Sequence, residues 1–129
     1  MDILLRRSYV SLALPGNLAV AAGVAGFVAE FPANIVKAQL YLGSTGTGAG
    51  STTVTVKKNG TAILPAAGLT IAGAAAGKTA ESATTKPEGL PGGVRIDVGD
   101  VITVDVSAIP GTTASANGEV KLHIVQSDI

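Results

Sequence analysis

The chain has 129 residues, no cysteine, and nine acidic against nine basic residues, so its formal net charge is zero. That length fits one domain with one core, in which about two-thirds of the unfolded chain's surface can be buried. Balanced charge leaves no basic excess to neutralise phosphates, which removes the main driving term for nucleic-acid binding. The absence of cysteine excludes disulfides and thiolate metal sites.

Tyr9, Phe27, Phe31 and Tyr41 are the whole aromatic set, and there is no tryptophan. The core must therefore be built from Ala, Val, Ile and Leu. A small domain with such a core gains from further apolar burial between subunits, so an oligomer is expected.

Arg6 and Arg7 precede an uncharged stretch from Ser8 to Ala29. On paper this matches a signal peptide, a twin-arginine signal or a membrane-spanning helix. Pro15-Gly16-Asn17 is a turn signal in the middle of it. Gly23 and Gly26 weaken a helix further, each by about 1 kcal/mol against Ala. We therefore expect residues 1–17 to be an extended arm and first strand that stays in the mature protein, and no membrane partner. A mature N-terminus mapped by mass spectrometry at or near Glu30 would overturn this. From Tyr9 to Leu14 polar and apolar residues alternate as in a half-buried strand. Ile3, Leu4 and Leu5 would be a liability on a monomer but an anchor against a partner. Ile3, Leu4, Leu5 and Tyr9 are accordingly the expected apolar interface contacts, with Arg6 and Arg7 meeting acidic groups on that partner.

Residues 18–129 read as a β-sandwich domain. Leu18 to Val20 and Phe27 to Phe31 are candidate strands. After Pro32, residues 34–42 form a strong one, with Val36, Ala38, Leu40 and Leu42 on one face and Lys37, Gln39 and Tyr41 on the other. Gly43 to Gly50 is a loop. Residues 52–57 alternate cleanly, and Asn59-Gly60 is a type I′ hairpin signal, since both residues accept positive φ. Residues 61–64 return from that turn, and Leu69 to Ile71 is a short strand. Ala72 to Gly93 reads as a long loop, and a loop of that length is either functional or partly stranded. Residues 94–98 and 101–106 are strands around a Gly99-Asp100 turn. Pro110-Gly111 opens another turn, and residues 119–125 are the last strand. About eight short strands between regular turn signals predict an all-β fold, a single jelly-roll-like β-sandwich with an N-terminal arm.

The sequence offers little for catalysis. His123 is the lone histidine and falls on the polar side of its strand, as a solvent or interface residue would. Asp97, Asp100 and Asp105, with Glu88 upstream, surround a turn where acids commonly stay solvated. They follow no twelve-residue calcium-loop pattern. Gly46-Thr47-Gly48-Ala49-Gly50 lacks the Lys-Ser/Thr ending of a phosphate-binding loop and reads as a hairpin loop. No enzyme activity, cofactor or metal is expected. Tyr41 lies on the polar face of its strand, where it suits either a sugar-stacking platform or a subunit interface.

The segments FPANIVKAQLYLG, TTVTVKKNGTAIL and VRIDVGDVITVDVSAI together resemble the virion β-sandwich proteins of tailed phages. The resemblance covers roughly residues 27–126: a Pro-led strand, a Gly/Thr loop, a strand ending in Lys-Asn-Gly, and Gly-Asp between two β-branched strands. It implies a capsid cement (decoration) protein on the capsid exterior of the virion. It further implies a homotrimer that binds the major capsid protein and stabilises the lattice, with Tyr41 a candidate contact. Similar sandwiches occur in head fibres, tail fibres and baseplates. A carbohydrate-binding or adhesive module is the other alternative.

Overall fold

The computed structural model describes residues 5–64, 68–73, 79–82 and 94–127. Among them lie ten strands and no helix. The strands are β1 (Leu5–Asn17), β2 (Ala21–Val28), β3 (Ala33–Ser44), β4 (Ser51–Lys58), β5 (Thr61–Ala62), β6 (Leu69–Ala72), β7 (Thr79–Ser82), β8 (Val94–Ile96), β9 (Val101–Ala108) and β10 (Ala116–Ser127).

The strands form two antiparallel sheets packed face to face as a β-sandwich. One runs β1-β10-β3-β7, with β8 also on β3, and the other runs β2-β9-β4-β5, with β6 also on β4. If β5 and β6 share one sheet position, and β7 and β8 another, the order is first-eighth-third-sixth over second-seventh-fourth-fifth. That is the jelly-roll order, two Greek keys wrapped on each other.

Period-two alternation builds the core. In β4, Thr52, Val54 and Val56 are buried between Thr53 and Thr55, which face outward, and in β9 Ile102, Val104 and Val106 do the same. Ile35, Leu40, Leu42, Val120 and Leu122 meet them from the other sheet. Each fully buried aliphatic side chain of this kind contributes about 1.5–3 kcal/mol. At one end of the barrel-like interior the Thr52 hydroxyl donates to Ser115 Oγ at 2.6 Å, so a buried polar pair satisfies itself.

Several expectations are corrected. Pro15-Gly16-Asn17 makes no turn. It is a β-bulge inside β1, where the register against β10 shifts between Leu14 and Asn17. Gly16 takes φ 70°, and its N–H donates to Asn117 Oδ1 at 3.1 Å while Asn117 itself sits at φ 55°. The turn residues are real, but a neighbouring strand absorbs them as a bulge. The second strand is Ala21–Val28, not Leu18–Val20 or Phe27–Phe31, because it is set by pairing with β9 and not by its own weak pattern. Val36 does not share the buried face of β3. A bulge in β3 opposite His123 and Ile124 of β10 leaves Val36 as the extra residue, so Ile35 takes the inward place. The long 72–93 segment is partly stranded, since β7 lies within it.

Candidate functional site

Register places a polar three-by-three grid on the outer face of the β1-β10-β3 sheet. Tyr9, His123 and Lys37 form one row, Ser11, Lys121 and Gln39 the next, and Ala13, Glu119 and Tyr41 the third. The rings of Tyr9 and His123 lie 5.6 Å apart, tilted by 56°. Lys121 Nζ stands 4.7 Å over the Tyr9 ring, a cation–π contact. His123 Nε2 is 2.8 Å from Gln39 Oε1, and the Ser11 hydroxyl reaches Glu119 at 3.5 Å. The strand diagonals thus knit the grid together. Tyr9 and Tyr41 stay exposed, at 60% and 48%, on opposite corners.

The tyrosines anticipated as contacts therefore share one face, which sequence reasoning had assigned only to Tyr41. Leu5, Arg6 and Arg7 lie in β1 opposite Ser127, Gln126 and Val125. Ile3 and Leu4, and Glu88, lie outside the described residues.

A second surface has the opposite character. β1 and β2 are the end strands of their sheets and lie on the same side of the sandwich. A cleft of about 240 Å³ opens between Val10, Phe27, Phe31 and Ile124, with Glu30 also in its lining, and another of about 310 Å³ between Leu14, Leu18, Val24 and Val106. Val28, 56% exposed, and Phe31 stand exposed at the first cleft, and Val24 at the second. The signal for this surface was visible as the uncharged Ser8–Ala29 stretch, but its lateral position needed the strand order.

The acids are held as structural acceptors. Asp100 accepts from the Asp97 N–H at 2.8 Å and from Asn59 Nδ2 at 3.0 Å. The Asp97 N–H first, then the Asn59 amide and the Lys58 charge, hold its carboxyl below the usual carboxylate range. Asp105 was expected to be solvated but is buried beneath β2. Its carboxylate pairs with Lys57 at 2.7 Å and accepts the Gly23 N–H at 2.8 Å. Lys57, and then Gly23, depress its carboxyl in turn. The cause is a bulge between Ala21 and Ala25 that aims the Gly23 N–H at β9. Asp97 stays largely solvated and pairs with Arg95 at 3.2 Å. The Gly46–Gly50 loop is tied by backbone bonds to residues 111–113, including Thr47 N–H to Thr113 O at 3.0 Å. Its glycines are used for close packing: a Cβ on Gly48 would meet Thr112.

No protein-family model matches the chain, and no characterised protein or solved structure matches it either.

Proposed function

We propose that the chain is a structural virion protein that binds the outer surface of a phage capsid and stabilises its lattice, a cement protein. The observation that carries this reading is the β1/β2 side, where two clefts lie between the sheets and Val24, Val28 and Phe31 are exposed at their rims. Exposed apolar side chains gathered at clefts support a protein–protein contact site. A cement protein works by adding contact area, and a neutral jelly roll with one sticky side and one polar face is suited to that.

A copy count tests the reading. Particles would be purified and the chain quantified against the major capsid protein by mass spectrometry. Near-stoichiometric abundance is expected, with loss of heat or osmotic stability in particles that lack the chain. A handful of copies at one vertex or tail would move it to a head-fibre, tail-fibre or baseplate module. Absence from particles would end the virion reading.

One observation favours a second reading, a carbohydrate-binding module. Both tyrosines stand exposed on one face with amide, imidazole, amine and carboxylate groups between them. Rings for stacking and mixed donors and acceptors for hydroxyls are what a glycan needs. A glycan-array signal lost in Tyr41→Ala would support it, and a silent array would remove it.

A further inference from the structure

We propose that Asn59 is a site of spontaneous modification, where water converts the side-chain amide to a carboxylate, and that the product unties the hairpin end of the sandwich. Asn59 and Gly60 form the tip of the β4–β5 hairpin, at φ 50° and 86°, and both are exposed. A Cβ on Gly60 would meet nothing within 4 Å, so the peptide nitrogen between them faces open solvent. Asparagine amides are thermolabile, and their loss depends on the residue that follows.

The chemistry needs only water and a solvent base. The base takes the proton of the Gly60 N–H, and that nitrogen attacks Asn59 Cγ. The new N–Cγ bond closes a succinimide ring, the Cγ–Nδ2 bond breaks, and Nδ2 leaves as ammonia with a proton from solvent. Water then opens the ring at either carbonyl, which gives aspartate or isoaspartate. The sum is asparagine plus water to a carboxylic acid plus ammonia, with nothing oxidised or reduced. A side chain on the following residue obstructs the attack, and glycine has none. Of the four asparagines, Asn17 and Asn34 precede Leu18 and Ile35, whereas Asn59 and Asn117 precede Gly60 and Gly118.

The fold separates these two Asn-Gly pairs. Ring closure swings the glycine nitrogen onto Cγ, so the local backbone must open first, and the cost of that opening sets the rate. At Asn59 the bonds to be broken lie in solvent: Val101 N–H to Oδ1 at 2.9 Å, Nδ2 to Asp100 at 3.0 Å, and the Asn59 N–H to Val101 O at 2.8 Å. The return strand β5 holds only two residues. At Asn117 the same step would tear a central strand. Gly118 is buried and pairs with Leu14 on one side and Leu42 on the other, so its opening uncovers two core leucines. The product at residue 59 then confronts Asp100. An oxygen replaces the Nδ2 donor, and two carboxylates face each other where a donor met an acceptor. Isoaspartate also lengthens the backbone of a two-residue turn, which its tight geometry does not admit.

The test ages the purified full-length chain for weeks in warm, mildly alkaline buffer, once folded and once in urea. Peptide mapping by mass spectrometry reads the replacement of NH2 by OH at each asparagine. In the folded chain Asn59 is expected to convert at least about tenfold faster than Asn117. In urea the two rates should converge, because the fold no longer separates the pairs. Equal rates in the folded chain, the same ratio in urea, or a folded Asn59 that stays intact while the unfolded one converts would each overturn the site. The consequence is read on Asn59→Asp, which is expected to lower the thermal midpoint by about 3–6 °C. Adding Asp100→Asn removes the facing charge and should restore part of that loss. A wild-type midpoint for Asn59→Asp would overturn the untying. Should that variant fail to fold, the midpoint of the aged wild-type chain, set against its converted fraction, decides the same point.

Discussion

The hairpin end of the sandwich and its β1/β2 side handle their exposed groups in opposite ways. At the hairpin end, Asn59 sits at φ 50°, donates its N–H to Val101 O at 2.8 Å, and accepts the Val101 N–H on Oδ1 at 2.9 Å. Its amide nitrogen also reaches Asp100, while Lys58 Nζ donates to Arg95 O at 2.6 Å. Ala29 N–H donates to Asp100 O, which ties the end of β2 to the same turn. Polar groups there are satisfied within the chain. On the β1/β2 side the exposed side chains include Val24, Val28 and Phe31, and no local hydrogen bond can remove such apolar groups from water. A chain can close its own polar accounts with one asparagine and one aspartate, but apolar surface requires more surface to cover it.

The largest way to break this contrast is at Asn59. Asn59→Ala removes two side-chain hydrogen bonds and places a Cβ residue at positive φ without local compensation. We expect a loss of about 2–3 kcal/mol in denaturant unfolding. Asp105 links the two regions, since it holds the β2 bulge from β9. Asp105→Asn should cost about 1–2 kcal/mol by leaving Lys57 without its partner. The same variant sharpens the pH behaviour. The folded carboxyl lies below its unfolded value, so its contribution is present above about pH 4 and is lost as pH falls through the folded value. Acid unfolding of Asp105→Asn should therefore be shallower than that of the wild type, read by circular dichroism between about pH 5 and pH 2. A smaller effect is expected on the outer grid. Tyr9→Ala removes the contact under Lys121 and should cost about 0.5–1 kcal/mol in thermal unfolding. Smallest is Val28→Ser, which changes an exposed side chain and should stay within about 0.5 kcal/mol in thermal unfolding.

Much of the fold was legible where pattern and turn chemistry agreed. β3, β4, β9 and β10 each alternate, and Asn59-Gly60 takes the positive φ values that its dipeptide promised. β2 was misplaced because Ala, Gly and Val give almost no alternation to read, and its limits come from β9. Pro15-Gly16-Asn17 was misread because the same residues serve a turn or a bulge, and the choice lies with the opposing strand. Asp105 looked like its neighbours Asp97 and Asp100. Only the bulge at Gly23 and the nearby Lys57 make it a buried acceptor.

By itself, then, the sequence determined the strand class, the inward faces of the regular strands, the Asn59 turn and the uncharged N-terminal stretch. These depend on residues two apart or on a single dipeptide, so local chemistry is enough. The tertiary structure alone decided that β1 pairs with β10 from the far end of the chain. It also decided that Tyr9 and Tyr41 share a face, and that β1 and β2 end both sheets on one side. Those outcomes depend on which long-range pairing buries the most apolar surface after loop closure, and no local window of sequence contains that comparison.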